Sequence, residues 1–175
     1  MDRKYLRKKI QDLLKAANID GVGNDVFSMR SIPSSIEELP IILLYPKNEG
    51  VSRFDEAPKR YLRSLNIIIE LITVDDSDEC LSDTLDDLSS AIEAAIEKDV
   101  ELESCVESVE LTSVVYDTEG DGQSPVGSAV LNYQIDYITE PRDDFTHADF
   151  NQADVTWHAN DHQDDDTKDI IAINP

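Results

Sequence analysis

The sequence predicts an α+β domain: a mainly antiparallel four-stranded sheet with helices packed on one face, followed by an extended C-terminal arm. Three observations lead to it. Two stretches repeat apolar residues at a helical period, four others are β-branched or alternating runs, and they follow one another as helix, strand, strand, helix, strand, strand. That order favours helices on one side of an antiparallel layer. After Pro141 apolar residues become sparse, so the chain divides into a body, residues 1–140, and an acidic extension, residues 141–175. A length of 175 residues suits one well-buried domain with an extension, and not two ordinary domains.

The first helix is marked by Leu6, Ile10, Leu13, Leu14 and Ala17, one apolar stripe with most basic residues off it. It should end near Asn18, because Gly21 and Gly23 follow. Pro40 to Pro46 brackets a continuous apolar run, the pattern of a strand buried on both faces. From Arg60 to Val74, Leu65, Ile67, Ile69 and Leu71 share one face of a long second strand. The polar connection between them, with Gly50 and Pro58, is long for a hairpin loop and is expected to project as an arm or flap.

Asp75 to Asp78 supplies helix-capping candidates whose charge suits the positive end of a helix dipole. The helix that follows buries Leu81, Leu85, Leu88, Ile92, Ala95 and Ile96 and turns Asp83, Asp86, Asp87 and Glu93 elsewhere. Barely two heptads are present, so it packs on a sheet and not in a coiled coil. Residues 107–116 and 126–138 form the last two strands, the second alternating Ala129, Leu131, Tyr133, Ile135 and Tyr137 with polar neighbours. In the extension, Phe145, Phe150 and Trp157 persist among aspartates, together with an Ile-Ile-Ala-Ile run. A purely solvated tail has little reason to keep them, so they are expected to anchor the arm on the body or on a neighbouring copy.

The net charge is -23, with 38 acidic against 15 basic residues. Such a surface repels polyanions, which argues against a general nucleic-acid binder and against docking on anionic lipid. No apolar run reaches the roughly 18 residues of a membrane span. The charge is uneven: residues 1–18 carry +4, residues 141–175 carry -7, and the middle carries -20. Two cysteines, Cys80 and Cys105, make no disulfide framework, and the N-terminus lacks the apolar core of a secretory signal, so a cytoplasmic setting with reduced thiols is expected.

No catalytic motif stands out: there is no phosphate-binding loop, nucleophile elbow, HExxH or CxxC. An enzyme is therefore not expected, nor a cofactor. His158, Asp161, His162 and Asp164 can be drawn as a cation site, but on a stretch without evident rigid support, so no metal is expected. Arg53, Phe54, Arg60 and Arg63, with Lys59, form the basic cluster of the middle region, read either as a solvated hairpin end or as a contact to the acidic face of another subunit.

Taken together, Glu38 to Ile72, the Pro-Val-Gly of residues 125–127 with the strand after it, and Thr139 to His158 resemble the tail terminator proteins of long-tailed bacteriophages, the gpU-like minor tail or tail completion group. The resemblance covers nearly the whole chain and rests on the order of several segments, without an invariant chemical motif. It implies an α+β subunit of a homohexameric ring that caps the tail tube, stops its polymerisation and presents a docking surface to head-completion or neck proteins. It implies location at the head-proximal end of the virion tail after assembly in the host cytoplasm, and no catalytic residues. The long acidic extension departs from shorter members. A neck or head-to-tail connector protein is the nearest alternative, and a monomeric acidic protein-binding module is a third reading.

Size scaling gives a body of this length an outer radius of about 18 Å, so six in a touching ring leave an opening of roughly 35 to 40 Å, wider than the ~20 Å of duplex DNA. DNA would pass through such a ring without specific binding. An acidic wall suits that passage, because a channel that bound phosphates would release counterions, gain affinity and slow the genome.

Overall fold

A computed structural model describes residues 2–30, 35–99, 101–102, 104–119, 124–141, 152–156 and 168–172. The chain forms two compact units, Met1–Pro141 and Arg142–Pro175. In the first, α1 (Arg3–Ala17) starts where the Asp2 carboxylate accepts the Tyr5 backbone N–H at 2.8 Å, and stops where Asn18 turns left-handed at φ 47°. The cap satisfies a helix-start donor, and asparagine tolerates the reversal at the other end. Leu6, Ile10 and Leu14 are buried, as their spacing predicts.

The sheet has five strands, not the four expected, in the order β1 (Val26–Ser28), β2 (Ile41–Glu56), β3 (Lys59–Val74), β5 (Val126–Thr139), β4 (Ser108–Glu119). The extra strand, β1, runs parallel to β2 and pairs Val26 to Ser28 with Ile42 to Leu44. Three residues are too few to display a period of two, which is why the sequence hides it. The other three pairings are antiparallel. A second departure concerns the expected arm. β2 and β3 are each 16 residues long and run as one ribbon to a turn at Ala57 and Pro58. Pro46 did not end the strand: beyond Leu44, β2 is an outer strand, where a missing N–H removes no ladder bond.

α2 (Asp78–Glu97) is capped by Ser77, whose side chain accepts the Cys80 N–H, with Asp78 and Glu79 in its positive first turn. Asp75 instead accepts the Thr84 hydroxyl and the Asp76 N–H, and these two bonds lower its carboxyl below the ordinary range. Both helices pack on one face of the sheet, where Leu65, Ile67, Ile69, Leu71, Leu131, Ile135 and Tyr137 are all buried. Ile42 and Leu44 point into this core, while Ile41 and Leu43 enter a smaller cluster with Ile72. The Pro40 to Pro46 run is thus buried on both sides. Gly127 sits directly under the first half of α2: a Cβ there would lie 2.9 Å from Leu85 Cδ1 and 3.1 Å from Leu81 Cδ2.

In the second unit, β6 (Gln152–Thr156) and β7 (Lys168–Ala172) pair antiparallel, with Gln152 opposite Ala172. The two isoleucines at 170 and 171 belong to β7. Among the described residues, the extension thus contributes one antiparallel pair of strands. The proposed anchors Phe145, Phe150 and Trp157, and the cation-site candidates His158, Asp161, His162 and Asp164, lie outside the described residues.

Candidate functional site

The ribbon brings together the residues singled out from sequence. Near its turn, Arg53 donates to Glu56 at 2.7 Å, Arg60 Nε donates to Asp55 at 2.9 Å, and the Arg60 guanidinium stacks 5.2 Å from the Phe54 ring. Phe54 is nonetheless 48% exposed and Val51 53% exposed. The tip is a half-neutralised basic cluster around an exposed aromatic side chain, a composition suited to protein contact more than to chemistry.

Arg63 has a different task at the ribbon's base. It lies on the core face, opposite Tyr137 and Val51. Its Nη1 donates to Glu49 at 2.9 Å and its Nε donates to the Thr139 hydroxyl at 2.9 Å. The Glu49 side chain is only 8% exposed; it also accepts the Tyr137 hydroxyl and lies 3.7 Å from Arg3 of α1. Glu49 was not singled out from sequence, and Tyr137 only as an apolar position of its strand, not as a partner of Glu49. Only pairing shows that Glu49 falls opposite Leu65 on the core face, at the end where the apolar floor gives way to polar side chains.

This network ties β2, β3, β5 and α1 together where the ribbon leaves the body. The Tyr137 phenol is pushed up to about 12, first by burial, then by its bond to Glu49 and that carboxylate's charge, against the opposing effects of Arg63 and Arg3. Tyr133 is raised too, by burial and then by Glu93 and Glu97. The native state therefore keeps protons that the unfolded chain releases from about pH 10 upward. Stability is fully present below that pH and should fall between about pH 10 and 12. Melting temperatures across this range are expected to fall less steeply for Tyr137→Phe; equal slopes would remove the coupling.

Elsewhere, the C-terminal ends of α1 and α2 bound a hollow of about 440 Å³ lined chiefly by Leu13, Ala16, Ala95 and Leu102, with Lys9 and Lys98. Among the described residues no group of three or more His, Cys, Asp or Glu side chains is placed to hold a metal ion. No described helix is long and apolar enough to cross a membrane.

No protein-family model matches the chain, and no curated protein matches it. Among solved structures, it is similar to a chain of one described as the virion of a native gene transfer agent particle. The identity is 11% and the TM-score 0.36, over 75% of this chain and 94% of that one. At that level the likeness carries no functional weight.

Topology also sorts the charge. Residues 1–63 hold twelve basic against nine acidic side chains, whereas residues 64–140 hold one basic residue, Lys98, against twenty acidic. The first set builds α1, β1 and β2, and the second builds most of β3 with α2, β4 and β5. Because the strand order is β1-β2-β3-β5-β4, one side of the sheet is basic and the other acidic.

Proposed function

We propose that this protein is a structural virion protein that caps a phage tail tube as a homohexameric ring, ends tube polymerisation and offers a docking surface to head-completion proteins. One observation carries the reading. The block from Glu38 to Ile72, in which the resemblance to tail terminators is strongest, forms a single unit: a hairpin rooted in the core and extended beyond it as a braced ribbon. A ribbon whose base is held by Glu49 and Arg63 and whose tip exposes Phe54 is built to reach another protein at a defined angle. On this reading the acidic side chains of the body line or flank the DNA passage and keep phosphate from adhering. The protein performs no catalysis and takes no cofactor.

Polymerising the cognate tail-tube protein with and without this chain tests the proposal by electron microscopy. Added protein is expected to yield tubes of arrested length with a ring at one end. Tubes that elongate equally in its presence would refute capping.

A further inference from the structure

β4 is an outermost strand of twelve residues, and among the described residues nothing pairs its outer edge. Leu111, Val115 and Tyr116 are 37%, 55% and 47% exposed along it. A long edge with exposed apolar side chains is a template for another chain, although β4 is interrupted by one register break, between Leu111 and Ser113, and carries the exposed Glu110 and Asp117. The opposite edge is protected: β1 has three residues, and the free stretch of β2 carries Pro46 and two register breaks. β4 is therefore the receptive side.

Charge selects the occupant. Glu110 and Asp117 are exposed on β4, and Asp83, Asp86 and Asp87 on α2, with no basic residue in either element. A two-fold contact of β4 with β4 would set acidic strand against acidic strand, which is destabilising. The complementary surface lies on the other side of the same sheet, where α1 exposes Lys4 and Lys8, and Met29, just past β1, is 61% exposed. We infer that copies of this chain associate head to tail, the acidic β4 and α2 side of one receiving the basic α1 and β1 side of the next. Such a contact is heterologous, the class that generates rings when its rotation closes. Closure rests on the ring reading above; the contact itself rests on the edge and the charge.

Overall repulsion between chains of charge -23 opposes this contact at low salt. At about 0.15 M salt the screening length is about 8 Å, so facing side chains dominate. Two variants test it by sedimentation velocity in that buffer, Lys4→Glu with Lys8→Glu, and Glu110→Lys with Asp117→Lys. The wild type is expected to sediment above monomer mass, and each variant alone to self-associate at least about tenfold more weakly. An equimolar mixture should recover the wild-type mass, because each then offers the other a complementary side. A wild type that stays monomeric up to ~100 µM, protein–protein affinities of interest lying well below this, overturns the inference. So do variants that associate normally, or folded variants whose mixture does not recover. If a reversal does not fold, the neutral Lys→Gln, Glu110→Gln and Asp117→Asn changes replace it, with weakened association still required. No tail tube enters this assay, so its failure removes the interface alone, whereas tubes growing past an intact oligomer would remove capping alone.

Discussion

Glu49→Ala is expected to destabilise the body by about 3 kcal/mol, lowering its melting temperature by roughly 10 °C. The carboxylate is nearly buried, and its removal leaves the Arg63 guanidinium and the Tyr137 hydroxyl without their shared acceptor. Breaking a buried pair by deleting one partner ordinarily costs about 3 to 5 kcal/mol; the lower end applies because Arg63 keeps 30% of its side-chain surface and its bond to Thr139. Glu49→Gln retains an acceptor and should lose about half as much. Chemical denaturation measures both, and an alanine variant within 1 kcal/mol of wild type, the scale of an ordinary exposed pair, would show that the network does not brace the ribbon. Reversing Arg63 would strike the same network, so a folding defect must be separated from any effect on assembly. Arg60, paired with Asp55 near the tip, is the cleaner probe of contacts.

Gly127→Val is expected to destabilise by about 2 to 3 kcal/mol, with Gly127→Ala costing about 1. The reason is the close seating of α2: even a Cβ meets Leu85 at 2.9 Å and Leu81 at 3.1 Å, and the Asp117 carbonyl oxygen lies 3.4 Å away. The leucine ends can yield to a methyl group by small rotations, but two further methyls require the helix to lift from β5. A valine variant with unchanged stability would mean that α2 adjusts freely. This constraint gives a physical meaning to the Pro-Val-Gly sequence: the glycine lets the helix approach the sheet.

Some of the site was legible in residue order and some was not. The core face of β3 could be read because Leu65, Ile67, Ile69 and Leu71 alternate with residues of the other face, and all four are buried. Arg53, Phe54 and Arg60 could be grouped because they flank one turn. Glu49 could not, because its meaning depends on register with Leu65 sixteen positions later and on Tyr137 eighty-eight positions later. Nor was the whole ribbon visible: its polar second half shows no apolar alternation, since a two-sided strand beyond the core buries neither face.

By itself, the sequence determined the two amphipathic helices, the buried strands, the antiparallel α+β class and the excess of acid, because local spacing decides which face of an element meets water. The tertiary structure alone decided the fifth strand, the paired ribbon, the burial of Glu49 and the placement of charge. Residues 1–63 and 64–140 differ in charge along the chain, but a strand order could have interleaved them. The order β1-β2-β3-β5-β4 gathers them onto opposite sides, since strand pairing, a non-local event, sets which segments become neighbours.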